Sequence, residues 1–303
     1  MKNKELITKI KELKEQSGAL ILAHNYQIVE IQQLADFRGD SLQLSMCAAE
    51  AKADTIVFCG VHFMAETAAI LNPGARILLP AIDAGCPMAD MITGEQLEQF
   101  KAAHPGSPVV CYVNSTAEVK AASDVCCTSS NAVKVLESLP ADKPILFVPD
   151  MNLGHWAAQQ ARREVIVWHG YCPIHQWGFN EAEVLELKAK YPQHTLLVHP
   201  ECDESVVQLA DEVMSTGGMM KWMKTGDKAI IATEMGLVNY LQYLYPEKSI
   251  IPAATRAVCK NMKKITLENV YKSLLQKQYE IKVPEAVAQK ALVSIRRMLD
   301  VSR

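Results

Sequence analysis

The chain has no apolar run of 18 residues, no excess of basic residues and no cysteine pair spaced as C-x-x-C. The first absence argues against a membrane-spanning helix. A net charge of −3, from 31 basic and 34 acidic residues among 303, argues against a nucleic-acid-binding surface. The segment MKNKELITKIKELKEQ (1–16) predicts an amphipathic helix, since it lacks the apolar core of a signal peptide. We therefore expect a cytoplasmic protein that binds neither membranes nor nucleic acids.

The missing C-x-x-C pairs also limit what the nine cysteines can do. Zinc sites usually use such chelating pairs, so an ordinary structural zinc site is disfavoured. In the reducing cytoplasm a disulfide framework is disfavoured as well. Catalysis, another kind of metal centre or simple burial therefore has to explain the cysteines.

What the sequence does contain is a series of short aliphatic runs separated by longer segments with helical spacing. Such runs are too short for helices, and their continuous apolar character is typical of parallel strands covered on both faces. They fall into three groups of three: 19–23, 55–59 and 76–80; 108–113, 144–148 and 165–168; and 195–198, 229–232 and 249–252. The pattern predicts an α/β fold.

Three kinds of residue recur with one period along the chain. Ring-bearing residues after the first strand of each group step by 86 and 87, and so do three cysteines after the last strand: Tyr26, Tyr112 and His199; Cys86, Cys172 and Cys259. An acid followed five residues later by a hydroxyl recurs as well: Asp36 and Ser41, Asp124 and Ser129, Asp211 and Thr216. Nine cysteines allow evenly spaced triples by chance, but agreement among three unrelated markers favours a true internal repeat.

The repeat predicts three homologous αβα sandwich domains with small parallel sheets, related by pseudo-threefold symmetry around a central active site. The predicted domains are 1–86, 87–172 and 173–259, followed by a helical segment at 260–303 that packs back on the core. Right-handed crossovers place the carboxyl ends of a sheet's strands on one side, where α/β proteins bind ligands. The three recurring cysteines could therefore reach a common centre.

Three lone thiolates from three domains suit an iron–sulfur cluster better than zinc. A 4Fe–4S cluster contains four irons, usually with one cysteine on each. With three cysteines one iron keeps a free position, which can act as a Lewis acid on a substrate oxygen. Polar pairs with i, i+2 spacing could face the same centre if the extended backbone continues. These pairs are His24 and Tyr26, Tyr112 and Asn114, and His199 and Glu201.

Eleven ordered segments give the chain an end-to-end resemblance to the A-type quinolinate synthase family: LAHNYQ (22–27), GDSLQL (39–44), CGVHFMAETA (59–68), GCPMADM (85–91), CYVNST (111–116), CTSSNA (127–132), PDMNLG (149–154), WHGYCPIH (168–175), HPEC (199–202), STGGM (215–219) and ATEMG (232–236). The resemblance implies condensation of iminosuccinate with dihydroxyacetone phosphate to quinolinate, phosphate and two waters in NAD biosynthesis. It also implies one 4Fe–4S cluster per chain on Cys86, Cys172 and Cys259, and supply of iminosuccinate by L-aspartate oxidase. Longer members carry a C-x-x-C-x-x-C run, whereas TRAVCKNMKKI (255–265) offers only Cys259, so the chain resembles the short branch.

The resemblance further implies the roles of individual residues. The catalytic acid–base candidates are Tyr26, His199 and Glu201. The substrate-binding candidates are His24, Ser41, Tyr112, Val113, Asn114, Ser129, His199, Pro200, Glu201, Ser215 and Thr216. Less definite positions near the cleft are His62, Met64, Asp150 and Asn152. The other six cysteines are interpreted as small core residues.

Alternatives remain for the hydroxyls and for the whole protein. Ser41, Ser129 and Thr216 precede helical stretches, where helix capping is as good an explanation as binding of a substrate anion. The protein itself could be an iron–sulfur or zinc redox sensor, or a hydro-lyase of another pathway with the same open-iron chemistry. A sensor would need an output surface or a nucleic-acid element, and the sequence indicates neither.

Overall fold

Three separate four-stranded parallel sheets form the framework of the computed structural model, which describes residues 3–302. The first sheet contains β1 (Leu20–His24), β2 (Phe37–Gly39), β3 (Thr55–Cys59) and β4 (Arg76–Leu78). The second contains β5 (Val109–Tyr112), β6 (Val125–Cys127), β7 (Ile145–Val148) and β8 (Val165–Val167). The third contains β9 (Thr195–Val198), β10 (Glu212–Val213), β11 (Lys228–Ala232) and β12 (Ser249–Pro252).

All three sheets have the same strand order. It is β2-β1-β3-β4 in the first, β6-β5-β7-β8 in the second and β10-β9-β11-β12 in the third. The predicted α/β class with three parallel sheets is therefore confirmed. The expected three strands per sheet were one too few, because β2, β6 and β10 span only two or three residues and form no apolar run.

Fifteen α-helices lie before, between or after these strands in residues 3–302. They are α1 (Asn3–Ser17), α2 (Val29–Leu34), α3 (Ser41–Glu50), α4 (His62–Leu71), α5 (Gly94–Ala103), α6 (Ala117–Ala121), α7 (Ala132–Glu137), α8 (Met151–Ala161), α9 (Pro173–Gly178), α10 (Glu181–Lys190), α11 (Glu204–Val207), α12 (Thr216–Trp222), α13 (Met235–Leu244), α14 (Leu267–Gln276) and α15 (Glu285–Ser302). The amphipathic helix predicted at 1–16 is α1, and residues 1 and 2 of that prediction lie outside the described range. Within that range no helix is long and apolar enough to cross a membrane.

The recurring acid proves to be a structural element of each sheet. In each sheet its carboxylate accepts a backbone N–H near the start of the neighbouring strand. The donor is the residue 15 positions earlier in the chain, and the distance is nearly the same in all three sheets. The pairs are Asp36 with Ile21 (2.8 Å), Asp124 with Val109 (2.8 Å) and Asp211 with Leu196 (2.7 Å). This bond satisfies a backbone donor at the start of a buried strand, which would otherwise be costly to leave unpaired.

The apolar core is distributed unequally among the sheets. The first two sheets share one continuous buried cluster with α14 and α15, whereas the third sheet has a separate cluster on each face. In β9, Leu196 and Val198 contribute to one of these clusters and Leu197 to the other, as the alternation of side chains along a strand requires. Helix α14 packs on α1 and β3, and α15 packs on α4, α6, α7 and β6. The domain boundaries at 86, 172 and 259 stay predictions.

Candidate active site

A cavity of about 510 Å³ collects most of the residues predicted to act on a substrate. It is lined by the residues that follow β1, β5 and β9 and by the loops that carry the recurring cysteines. The predicted residues on its wall are His24, Tyr26, Ser41, Cys86, Tyr112, Asn114, Ser129, Cys172, His199, Glu201, Thr216 and Cys259. Chain segments up to 235 residues apart therefore meet in one place, as the internal repeat predicted.

Three predicted binding residues do not line this cavity: Val113, Pro200 and Ser215. Val113 is almost fully buried and faces a smaller space beside Ser41. Pro200 is buried in the turn between His199 and Glu201. Ser215 caps α12 through the N–H of Gly218 at 3.2 Å. Their assignment to substrate binding stays a prediction.

The loops that carry the three cysteines are built alike. In each, the first residue of the preceding helix donates its backbone N–H to the carbonyl two residues before the cysteine. These bonds join His62 to Ala84 (2.8 Å), Met151 to Gly170 (2.8 Å) and Met235 to Ala257 (2.9 Å). The repeated bond fixes each loop against its helix and brings the cysteine to the same place at the edge of its sheet.

Burial raises the pKa of all three cysteine thiols, that of Cys86 to about 12, so a metal would have to displace the proton. The nearby backbone N–H groups of the residues that follow act in the opposite direction and favour the thiolate. They belong to Met88 and Ala89 for Cys86, His175 for Cys172, and Asn261 and Met262 for Cys259. Three cysteines on three loops around one cavity fit a cluster bound by three thiolates. None of the other six cysteines lines the cavity.

Buried carboxylates support two of the three cysteine loops. Asp150 caps α8 and accepts the N–H of Cys172 at 3.2 Å. Glu234 caps α13, accepts the N–H of Cys259 at 2.9 Å and contacts Lys263 Nζ at 2.7 Å. The equivalent position before α4 is Val61, which has no acceptor. Glu234 stands in the segment ATEMG (232–236), but no role could be assigned to it from the sequence, because its partners lie 25 and 29 residues further along the chain.

Glu201 is the centre of a buried hydrogen-bonded network. Its carboxylate accepts from the hydroxyl of Tyr112 and lies 2.6 Å from His175 Nδ1 and 3.5 Å from Asn114 Nδ2. Burial opposes ionisation of Glu201, but the contacts with His175, His199 and Tyr112 outweigh it and hold its pKa well below its usual value. Glu201 is therefore a carboxylate with hydroxyl and amide donors on one oxygen and the His175 ring beside the other.

His175 and Thr233 extend this network to Tyr26. His175 Nε2 lies 2.9 Å from Thr233 Oγ1 and 3.3 Å from the hydroxyl of Tyr26, which is itself 2.8 Å from Thr233 Oγ1. Burial raises the pKa of Tyr26 well above its usual value, so its hydroxyl stays protonated. Sequence reasoning missed His175 and Thr233, although His175 stands in the motif WHGYCPIH, three residues after Cys172.

The two other histidines on the wall are neutral. Burial lowers the pKa of His24 to about 4 and that of His199 to about 3. The backbone N–H of Tyr26 points to His24 Nδ1 at 3.2 Å, and that of Glu201 to His199 Nδ1 at 3.3 Å. Because Nδ1 accepts in both rings, the remaining Nε2 carries the proton and is available as a donor.

The three recurring hydroxyls have different local settings. Ser41 and Thr216 are the first residues of α3 and α12, and the capping side chains belong to the preceding Asp40 and Ser215. Capping therefore does not explain Ser41 or Thr216. Ser129 lies in the turn before α7 and is partly exposed to the cavity.

A second set of possible metal ligands overlaps the first. The ligand atoms of Cys172, His175 and Glu201 all lie within 4.8 Å of one another. Sulfur, imidazole and carboxylate are ligands that zinc accepts. The cavity wall is thus compatible with either a cluster on three cysteines or a single ion on this mixed set.

Comparison with known proteins gives one consistent family. The profile of the quinolinate synthetase A protein family matches residues 8–300. The quinolinate synthase of Dehalococcoides mccartyi strain CBDB1 is 52% identical over 301 residues, which is 98% of this chain and 99% of that protein. The quinolinate synthase of Alkaliphilus metalliredigens is 49% identical over 304 residues, 99% of this chain and 100% of that protein. That of Methanoregula boonei is 49% identical over 292 residues, 96% of both chains.

Proposed function

Because the chain belongs to the quinolinate synthetase A family, we propose that it condenses iminosuccinate with dihydroxyacetone phosphate to quinolinate, phosphate and two waters. The observation that carries the proposal is the meeting of three cysteines and the Glu201 network on one cavity. A volume of about 510 Å³ is large enough for two small substrates.

We propose that Cys86, Cys172 and Cys259 hold a 4Fe–4S cluster. When bound, the cluster would supply a Lewis acid for a substrate oxygen at the iron that lacks a cysteine. The position of all three cysteines on one cavity supports this assignment, and the backbone N–H groups near each sulfur would favour thiolates. The mixed set of Cys172, His175 and Glu201 supports a zinc protein instead, and metal analysis separates the two.

We assign proton transfer to groups whose protonation states suit it. Glu201 is ionised and can accept a proton from a substrate carbon. Tyr26 stays protonated beside Thr233 and can donate one. His199, neutral with Nε2–H directed away from the backbone, is a second donor.

Binding roles follow from the position of each polar group on the wall. We propose that five residues contact iminosuccinate or the product, since they line the cavity at or just after the carboxyl ends of the inner strands β1, β5 and β9: His24, Tyr112, Asn114, His199 and Glu201. We propose that Ser41, Ser129 and Thr216 bind anionic groups of the substrates. A hydroxyl donated to a charged group contributes about 1.5 to 3 kcal/mol.

Some expectations extend beyond the site. We propose that the three sheets, with their equal strand order, are related by pseudo-threefold symmetry around the cavity and belong to domains 1–86, 87–172 and 173–259. We also propose that the protein works in the cytoplasm and receives iminosuccinate from L-aspartate oxidase, because an imine of this kind hydrolyses in water.

The test uses protein purified without oxygen. We expect about four iron and four sulfide per chain, and quinolinate that forms only when both substrates are present. Omission of either substrate is the control. Zinc without sulfide would contradict the cluster assignment. A complete cluster without quinolinate formation would favour the redox sensor or a different hydro-lyase.

A further inference from the structure

A buried carboxylate joins the three sheets on one side of the cavity. Asp40, which follows β2, is 6% exposed, and its Oδ2 accepts from Ser130 Oγ at 2.5 Å and from Ser215 Oγ at 3.2 Å. The two serines also contact each other at 2.8 Å. Asp40 belongs to the segment after β2, Ser130 to that after β6 and Ser215 to that after β10. We call this group the Asp40 clamp.

Each member of the clamp is the chain neighbour of a recurring hydroxyl. Asp40 precedes Ser41, Ser130 follows Ser129, and Ser215 precedes Thr216. All three hydroxyl-bearing residues line the cavity, and so does Asp40, whereas Ser130 and Ser215 do not. Asp40 therefore stands on the wall beside the proposed anion-binding hydroxyls, and its two serine partners lie behind it.

The surroundings of Asp40 leave the carboxylate little freedom. Its Oδ1 accepts the N–H of Gln43 at 3.0 Å, and the Gln43 side chain accepts the N–H of Asp40 at 3.0 Å. A Cβ atom at Gly217 would collide with Oδ2, so the third sheet can approach only because this residue is glycine. A further bond ties the first sheet to the third, because Asn25 Nδ2 donates to Thr216 Oγ1 at 3.0 Å.

A carboxylate on the wall of an anion site would by charge alone weaken the binding of an anion. Its hydrogen bonds act in the opposite direction, since they tie Ser130 and Ser215 to Asp40 and so fix the chain neighbours of three wall hydroxyls that belong to separate sheets. Pre-ordered donors bind more tightly because the cost of ordering them has been met in the folded protein. On the premise of the proposed function, we propose that Asp40 is a positioning residue that holds Ser41, Ser129 and Thr216 in register for a phosphate or carboxylate group.

The test compares Asp40→Ala with Thr93→Ala in the cluster-loaded protein. Thr93 forms an equivalent capping box with Gln96 at the exposed start of α5, so its loss reports the cost of removing a cap alone. We measure the dissociation constant of inorganic phosphate by calorimetry, KM for each substrate, kcat and the melting temperature. For Asp40→Ala we expect phosphate binding about tenfold weaker and KM for at least one substrate raised about tenfold. Thr93→Ala should leave both unchanged.

Two further variants keep the test informative. Ser130→Ala removes one bond of the clamp without altering a residue of the cavity wall, and we expect a rise in the same constants of about threefold. It serves if Asp40→Ala does not fold. Asp40→Asn keeps the cap and one acceptor, and should recover part of the lost affinity.

Whether Asp40→Ala binds phosphate more weakly or more tightly than the wild type decides whether Asp40 positions the hydroxyls. Tighter phosphate binding by Asp40→Ala would mean that charge repulsion dominates and would overturn the proposal. Unchanged binding with a lower melting temperature would reduce Asp40 to a structural cap, and absence of phosphate binding by the wild type would remove the site. If the wild type makes no quinolinate, the proposed function fails, and phosphate binding still decides the role of the clamp.

Discussion

The cysteine loops and the polar pairs at the ends of β1, β5 and β9 stand on the same cavity wall, and the members of each set resemble one another to different degrees. The loops share one hydrogen bond to the preceding helix, of 2.8 to 2.9 Å, and present the same side chain. The pairs share only their position, since histidine and tyrosine, tyrosine and asparagine, and histidine and glutamate occupy it. A ligand set for one symmetric group requires equal positions, whereas proton transfer requires groups of different pKa.

Within the loops the likeness is also incomplete. Asp150 and Glu234 accept the N–H groups of Cys172 and Cys259, but Val61 offers nothing comparable to Cys86. The loop of Cys86 is held by backbone bonds and by an exposed ion pair of Asp83 with Lys264, whereas buried carboxylates support the other two. Substitutions in the cysteine loops and in the polar pairs should therefore affect different properties, namely metal binding and catalysis.

The largest effect is expected for a cysteine of the loops. Cys172→Ser should abolish the visible absorption of the cluster and lower the iron content far below about four per chain, because one of three thiolates is lost. Cys202→Ser is the matched control, since Cys202 is fully buried and lies outside the cavity. Full iron content in Cys172→Ser would show that the loops do not form a ligand set.

A substitution in a polar pair should lower the catalytic rate and leave the metal content unchanged. Glu201→Gln preserves the shape of the side chain but removes the base, so we expect kcat to fall by about a hundredfold or more with iron content unchanged. Glu204→Gln, on the exposed start of α11, controls for charge removal nearby. Loss of iron from Glu201→Gln would instead favour the mixed metal site with Cys172 and His175.

The buried carboxylates that support the loops of Cys172 and Cys259 should stabilise the folded protein. Glu234→Ala leaves the N–H groups of Cys259 and Gly236 without their acceptor and Lys263 with only the carbonyl of Tyr26, and we expect a loss of about 3 kcal/mol in the free energy of unfolding. This value is at the lower end for a buried pair because Lys263 is 23% exposed. Val61→Ala, at the equivalent position, should cost about 1 kcal/mol. Denaturant unfolding measures both, and equal losses would contradict the difference between the loops.

The smallest effect concerns pH. Burial lowers the pKa of His24 from its ordinary 6.5 to about 4, so the unfolded chain binds a proton more readily than the folded protein. The stability that the neutral ring provides is complete above about pH 6.5 and decreases as the pH falls towards 4, by about 2 kcal/mol at pH 5. His24→Gln should flatten this part of the stability profile. A profile identical to that of the wild type would show that His24 titrates normally.

The sequence predicted those parts of the protein that depend on periodic spacing. Cys86, Cys172 and Cys259 share a period because each follows the last strand of a sheet, and strand length and crossover length set that distance. The short strand Glu212–Val213 could not be predicted, since two residues carry no pattern and pair only because β9 lies beside them. The roles of His175 and Glu234 could not be predicted for a related reason. Their roles depend on partners in other segments, and nothing in their own neighbourhood marks a contact with Glu201 or Lys263.

Helices α14 and α15 complete the core of the first two sheets, although they follow all twelve strands in the chain. Ser294 of α15 donates to the carbonyl of Lys120, 174 residues earlier, and Asn131 donates to Ser302 across 171 residues. During synthesis on the ribosome, part of the apolar surface of the first two sheets therefore remains exposed to solvent until α14 and α15 have left the ribosome. At about 5 to 20 residues per second, the delay between β8 and α15 lasts several seconds. The third sheet, with its own clusters on both faces, can form first, so the order of folding in the cell need not follow the order of the chain.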